Sequence, residues 1–250
     1  MDYLGFIIEE GQISIDPTKL QGIADWFAPH TVKQLRSFLG FCNFYHKFIW
    51  SYSNKCRSLN ELLQKNMTWD WTEDQYATFE GLKKDFLKEP VLQMPDHTRP
   101  FQTEANTSKY ASGAVLTQED SNGERHPVAY LSKSFNKAEH NYQVYDRELL
   151  SIVRALQEWR HHIQGSPHKT LVLSDHRNLT YFWKPQKLNR RQARWVIELA
   201  EYDIDLKHIP GNNATFRRPI HLINQHGTAR CSNERTARRF YCLRGTSADH

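Results

Sequence analysis

The chain has 250 residues, of which 39% are hydrophobic and 24% are charged, a composition typical of a globular protein with one large core or two small ones. No apolar run approaches the roughly 18 residues that a membrane span needs, and the N-terminus lacks the pattern of a secretory signal. We therefore expect an intracellular protein, cytoplasmic or nuclear, that is not secreted and has no membrane partner. The net charge of +5 comes from residues 217–250, which contain seven arginines and two acids.

The first 90 residues read as a hairpin followed by helices. In "YLGFIIEEGQISI" two apolar runs flank Glu-Glu-Gly, which predicts a β-hairpin over residues 1–15. Asp16 and Pro17 are typical of a helix N-cap and first helical position, and open a helical module at residues 16–90. Two capping-box pairs predict further helix starts, Thr31 with Gln34 and Thr72 with Gln75.

Residues 91–211 change to a strand-rich pattern. The segments "PFQTEANTS", "YASGAVLTQ" and "HPVAYLSKS" predict three strands, and "NYQVYDRELLSIVRALQEWRHHI" predicts a long helix. A strand at "KTLVLSD", a helix at "NRRQARWVIELAEY" and a strand at "IDLKHIP" follow. This order indicates an α+β or α/β domain in which helices cover a sheet. Residues 212–250 show no periodicity, and we expect a disordered basic tail.

The four cysteines, Cys42, Cys56, Cys231 and Cys242, form no C-x-x-C pair, which argues against a zinc ribbon or a redox motif. Reduced thiols are the expected state.

Three acids are placed where metal ligands would converge: Glu104 or a neighbour on the first of these strands, Glu148 near the start of the long helix, and Asp175 at the end of "LVLSD". Carboxylates of this kind suit Mg²⁺ or Mn²⁺, and two such ions roughly 4 Å apart promote phosphodiester hydrolysis. Each acid also has a structural interpretation, because Glu148 could stabilise the helix dipole and Asp175 could cap the segment "HRNLTYFW".

Seven segments in order resemble the Pol polyprotein of Ty3/Gypsy long-terminal-repeat retrotransposons: "YLGFIIEEGQISIDPTK", "LRSFLGFCNFYHKFI", "GAVLTQ", "HPVAYLSKSF", "AEHNYQVYDRELLSIVRAL", "LSDHRNLTYF" and "LNRRQARW". The resemblance implies that residues 1–15 end the reverse-transcriptase palm, that residues 16–90 form the thumb and connecting helices, and that residues 91–211 form an RNase H-like domain with a mixed five-stranded sheet. The chain contains no Tyr-x-Asp-Asp motif, so it lacks a polymerase active site.

The resemblance also implies the site residues. Glu148 and Asp175 match two catalytic acids of the family, and Asn106 aligns with the first Asp when residues are counted backward from Gly113. Counting forward from Thr103 would make Glu104 the acid, at the cost of a two-residue insertion. The fourth acid is missing, because "HIPGNNATFRRPI" contains no Asp. We therefore expect a weakened two-metal site for Mg²⁺ or Mn²⁺, since an amide cannot supply a carboxylate's charge.

A basic cluster precedes and begins the last helix. Lys187, Arg190, Arg191 and Arg194 could contact nucleic-acid phosphates or form a solvated face, and His176 is a further candidate for a phosphate contact. The expected partners are an RNA/DNA hybrid and the rest of the Pol polyprotein, namely the palm, fingers and integrase. The alternatives are a non-catalytic nucleic-acid-binding or connection module and a degenerate element copy without function.

Overall fold

The computed structural model describes residues 2–88, 91–175 and 188–209. Three predictions fall outside these residues: the disordered tail at 212–250, and the phosphate contacts of His176 and Lys187. None of the described helices is both long and apolar enough to cross a membrane.

A small antiparallel sheet contains the predicted hairpin. Its strands are β1 (Asp2–Tyr3), β2 (Phe6–Glu9), β3 (Gln12–Ile15) and β4 (Leu92–Gln93), adjacent in that order. Glu10 and Gly11 join β2 to β3 with φ values of 41° and 78°, the positive values that a two-residue hairpin turn requires. Strand β4 lies in the segment that we assigned to the second domain, yet it pairs with the free edge of β3.

The helical module between these strands contains five helices: α1 (Pro17–Ala24), α2 (Val32–Phe44), α3 (Tyr52–Lys55), α4 (Arg57–Glu61) and α5 (Glu73–Phe86). Asp16 caps α1 by accepting the Thr18 N–H at 2.7 Å, and Thr72 forms the complete predicted capping box with Gln75. At α2 only half of the predicted box forms, because the side chain of Gln34 accepts the His30 N–H instead of that of Thr31. Local capping signals therefore fix where α1, α2 and α5 begin.

The second sheet has five strands: β5 (Phe101–Thr107), β6 (Ala111–Glu119), β7 (Arg125–Ser134), β8 (Thr170–Ser174) and β9 (Ile204–His208). Their order is β7-β6-β5-β8-β9. The pairs β5–β8 and β8–β9 are parallel, and the pairs β5–β6 and β6–β7 are antiparallel. The sheet is therefore mixed, as expected.

In the described part of the chain, three helices accompany this sheet: α6 (Val144–Glu158), α7 (Arg160–Ile163) and α8 (Arg190–Leu199). The long predicted helix is divided at Trp159, whose φ and ψ of −102° and 20° leave the helical region. The apolar stripe of α6 is buried against the sheet together with Trp195 of α8. One face of the sheet thus forms the main core.

The opposite face of the sheet packs on the helical module. The rings of Trp50 and Tyr130 lie 6.1 Å apart, edge to face, and the Ser53 N–H donates to the Ser132 hydroxyl at 2.9 Å. Helices therefore cover both faces of the sheet. Parallel strands such as β5 and β8 usually occur in sheets that are buried on both faces.

Candidate active site

Two candidate ligands belong to the neighbouring parallel strands β5 and β8. The parallel register pairs Glu104 with Leu173, and Asn106 and Asp175 each come two residues later in the chain. Asp175 follows the last residue of β8 directly. Parallel strands end at the same edge of a sheet, so both residues belong to this edge.

Glu148 reaches the same edge from the second turn of α6. Its side chain is buried, with 5% of the residue exposed, and its Oε1 accepts a hydrogen bond from the Thr107 hydroxyl at 2.5 Å. The other oxygen, Oε2, is buried without a hydrogen-bond partner among the described residues. A buried carboxylate oxygen without a donor is costly unless a proton or a cation satisfies it.

The environment raises the pKa of Glu148 to about 7. Burial is the largest cause, because it penalises the charged form. The Thr107 hydroxyl lowers the pKa by donating to the carboxylate, and the negative charge of Asp175 raises it.

Asn106 and Thr107 occupy successive positions at the end of β5. Asn106 pairs with Gly113 and Thr107 pairs with Ser112, and the Ser112 hydroxyl accepts from Arg154 of α6 at 3.0 Å. Alternation along the strand therefore assigns Thr107 to the α6 face and Asn106 to the other. The amide oxygen of Asn106 accepts the Thr107 N–H at 2.6 Å.

Glu104, the alternative acid, is buried in the middle of the sheet with 1% of the residue exposed. It lies between Val115 and Leu173, two residues from the position beside Asp175. The observed register thus pairs Glu104 within β8 and not with Asp175.

An open pocket of about 580 Å³ adjoins Glu148. Its walls come from the β5–β6 turn, the residues before α6 and the first turns of α6, namely Thr107, Ser108, Lys109, His140, Val144, Arg147 and Glu148. Lys109 and Arg147 give it two positive charges, which suit an anion. The sequence alone did not lead us to Lys109 and Arg147. The segments "SKY" between two strands and "DRE" at a helix start are nevertheless signals for a basic turn beside a helix.

The contacts of the helical module extend to the β5–β6 turn. The Ser108 hydroxyl donates to Asn54 Oδ1 at 2.8 Å, and the guanidinium of Arg57 lies 3.4 Å from the centre of the Tyr110 ring. The turn that follows Thr107 is therefore held by residues from α3 and α4.

The basic cluster on α8 divides into two kinds of residue. Arg191 forms an ion pair with Asp146, which is 1% exposed, and stacks 3.8 Å from the centre of the Tyr142 ring. Gln192 donates to the same carboxylate at 2.8 Å. Arg190 and Arg194 are exposed. Among the described members of the cluster, these two are therefore the ones available for phosphate contacts.

A second group with metal-ligand chemistry lies in the β6–β7 turn, where oxygens and nitrogens of Asp120, Glu124 and His126 lie within 4.8 Å of one another. Asp120 Oδ1 already accepts the N–H groups of Asn122 and Glu124 at 2.8 and 2.9 Å. This geometry is that of a turn closed by an aspartate.

The donors at the sheet edge fit a hard divalent cation in part. Glu148 and Asp175 offer carboxylate oxygens, and Glu148 Oε2 is the buried acceptor that a cation would satisfy. Asn106 contributes no charge, and its amide oxygen already accepts a hydrogen bond from the Thr107 N–H. Two carboxylates at one edge are therefore the core of the candidate site.

Comparison with known proteins agrees with this architecture. Residues 96–202 match the model of the RNase H-like domain found in reverse transcriptase. Over 214 residues, or 84% of this chain, the sequence is 34% identical to the Tf2-3 and Tf2-4 transposon polyproteins of Schizosaccharomyces pombe. The chain spans 16% of the length of those polyproteins.

Solved structures of a foamy viral protease-reverse transcriptase share the fold. One, in complex with dsDNA, has a TM-score of 0.70 at 20% identity over 84% of this chain and 45% of that one. Another, in complex with an RNA/DNA hybrid, has a TM-score of 0.68 at 19% identity over 92% of this chain and 32% of that one. The chain is thus a relative of Ty3/Gypsy-type transposon polyproteins, and its residues 96–202 form an RNase H-like domain of the kind found in reverse transcriptases.

Proposed function

We propose that this protein binds RNA/DNA hybrids and hydrolyses the RNA strand slowly, with Mg²⁺ or Mn²⁺ as cofactor. The observation that carries the proposal is the buried Glu148 carboxyl, which has one oxygen without a hydrogen-bond partner among the described residues and borders an open basic pocket. The charge of Asp175 helps to raise its pKa. A carboxyl group held in this way beside a second acid is typical of a catalytic cation site.

Glu148 and Asp175 would hold the cation, with Asn106 at the position of the family's first Asp. A bound pair of divalent ions supplies an activated water and stabilises the leaving oxygen. The residues of this chain fix the ligands: α6 carries Glu148, the end of β8 carries Asp175, and Thr107 holds one oxygen of Glu148.

We further propose that activity is impaired. Asn106 supplies no negative charge, and an amide oxygen cannot bridge two cations as a carboxylate does. The hydrogen bond between the Asn106 oxygen and the Thr107 N–H must also break or be shared before this oxygen can bind a cation. Each effect weakens the binding of the divalent ions.

Substrate phosphates would occupy the basic surface around the site. Lys109 and Arg147 line the pocket, and Arg190 and Arg194 lie exposed on α8. Contacts from such residues are electrostatic and independent of sequence, so binding should weaken with increasing salt. The remaining partners would be the palm, fingers and integrase of a larger Pol polyprotein, as in the element that the sequence resembles.

Charge restoration tests the proposal. We expect Asn106→Asp to raise the initial rate of cleavage of a labelled hybrid at least tenfold, because it returns a ligand charge. Glu148→Gln in that background should abolish the gain, and Mn²⁺ should support more activity than Mg²⁺ because it binds such sites more tightly. The matched control is Asp120→Asn, which removes an acid from the β6–β7 turn, at the opposite end of β6 from the β5–β6 turn.

Equal rates for the parent and the Asn106→Asp variant would show that Asn106 is not a ligand position. The bond that occupies the Asn106 oxygen favours a second candidate, a nucleic-acid-binding or connection module without catalysis. Salt-dependent binding of the hybrid by all variants, without cleavage by any, would establish it. Absence of both binding and cleavage is the result expected of a degenerate copy.

A further inference from the structure

We propose that Thr107 is a positioning residue that orients the Glu148 carboxylate toward the cation. This inference rests on the proposed function and concerns a residue that the sequence did not single out. Its basis is the hydrogen bond from Thr107 Oγ1 to Glu148 Oε1, together with the buried Oε2 of the same carboxylate, which has no hydrogen-bond partner in the described part of the chain.

The two oxygens of Glu148 have different roles in this arrangement. Oε1 accepts a hydrogen bond at 2.5 Å from the Thr107 hydroxyl. This donor is neutral, so it does not replace the positive charge of a cation. Oε2 is buried without a donor among the described residues, so it is the atom available to a ligand. A carboxylate fixed through one oxygen presents the other in a single direction, which reduces the ordering that metal binding must impose.

Other polar neighbours of Glu148 do not perform this role. The Ser151 hydroxyl donates to the main-chain carbonyl of Glu148 at 2.7 Å and leaves the carboxylate untouched. The guanidinium of Arg147 donates to the carbonyl of Lys109 at 3.4 Å. Within the part of the chain that the structure describes, Thr107 is the residue whose hydrogen bond to this carboxylate is observed.

Thr107 is itself well placed to act as an anchor. It pairs with Ser112 in the β5–β6 ladder, and its N–H donates to Asn106 Oδ1 at 2.6 Å. A β-branched side chain in a strand has few rotamers, so the main chain determines where the hydroxyl points. The conformation of β5 thus restricts the orientation of the Glu148 side chain on α6.

Isosteric substitution separates the hydroxyl from the shape of the residue. Thr107→Val removes the donor and keeps the branched side chain, whereas Thr107→Ser keeps the donor. Loss of partners that orient metal ligands costs about 10- to 100-fold in metal affinity. We therefore expect Thr107→Val to weaken Mn²⁺ binding at least tenfold and Thr107→Ser to retain it within about threefold.

The experiment measures Mn²⁺ binding by calorimetry, without substrate, in the full chain carrying Asn106→Asp. This background supplies the ligand charge that makes binding strong enough to compare, and adding Glu148→Gln defines binding that depends on Glu148. Thr107→Val, Thr107→Ser and Thr107→Ala are then added singly. Thermal unfolding without metal establishes that each variant is folded, and Thr107→Ala replaces Thr107→Val if the latter is not.

Three outcomes are distinguished. Weak binding with Val or Ala and rescue by Ser supports the positioning role. Unchanged or tighter binding with Val or Ala overturns it while leaving the metal site intact. Binding that is the same with and without Glu148→Gln contradicts the metal site itself, and with it both the proposed function and this inference.

Discussion

Burial of the Glu148 carboxyl links the stability of this protein to pH. Its ordinary pKa is 4.5 and its pKa in the folded protein is about 7, so the folded state keeps a proton that the unfolded chain has released between these values. The stability therefore falls as the pH rises from about 4.5 to 7 and stays reduced above that range. The penalty follows from burying a charge that, among the described residues, has one hydroxyl as its hydrogen-bond donor.

We predict that Glu148→Gln stabilises the protein at pH 8 and has little effect at pH 4. At about 1.4 kcal/mol per pKa unit, the gain at pH 8 should be up to about 3 kcal/mol, because Gln carries no charge to be buried. Urea unfolding at the two pH values measures the difference. The control is Glu124→Gln, an exposed carboxyl in the β6–β7 turn, which should change neither value. A Glu148→Gln variant that is less stable at pH 8 than the parent would contradict the raised pKa.

The buried carboxylate of Asp146 on α6 binds two side chains of α8. Asp146 is 1% exposed and receives hydrogen bonds from Arg191 and Gln192, one turn of helix presenting two donors to one carboxylate. The guanidinium of Arg191 also covers the ring of Tyr142. Arg191 therefore performs a structural task, although its sequence position beside Arg190 makes it look like part of a phosphate-binding face.

We predict that Arg191→Ala destabilises the protein by about 2 kcal/mol. Removing one member of a buried ion pair costs roughly 3–5 kcal/mol, and we reduce this value because Arg191 is partly exposed and Gln192 remains bonded. Urea unfolding measures the cost. Arg194→Ala is the matched control on the same helix, and it should leave stability unchanged while lowering the salt dependence of hybrid binding. Equal stability of the two variants would contradict the structural role of Arg191.

The two halves of the chain are joined through the face of the large sheet that α6 does not cover. Trp50 lies against Tyr130, and a Cβ added to Gly113 would be in van der Waals contact with the Trp50 ring at 3.4 Å, so this ring packs over β6 at Gly113. Strand β4 adds a second link, because a segment that follows the helical module pairs with the hairpin that precedes it.

We predict that Trp50→Ala lowers the free energy of unfolding by about 2 kcal/mol and makes the unfolding transition less cooperative. The loss is smaller than that of a fully buried Trp because Trp50 is half-buried. Urea unfolding followed by circular dichroism gives both values. Trp69→Ala, which removes a half-buried Trp stacked on Trp71 within the helical module, should keep the cooperativity. A single sharp transition in both variants would mean that this contact does not couple the halves.

The sequence by itself determined the elements and their class. The hairpin, the start of α1 at Asp16 and Pro17, the capping box of α5 and the five strands of the mixed sheet all follow from signals a few residues long. Such signals act within one turn of chain, so they need no knowledge of the fold. Resemblance to Ty3/Gypsy Pol then identified Glu148 and Asp175 as site residues, and the roles of these two residues remain predictions.

Only the tertiary structure decided which side chains meet. Thr107 and Glu148 are 41 residues apart, and Asp146 and Arg191 are 45 apart, so neither contact leaves a periodic signal in the chain. The same holds for the pairing of β4 with β3 and for the position of Trp50 against the sheet. The raised pKa of Glu148 belongs to this group as well, because burial is a property of the packed core and not of the residue.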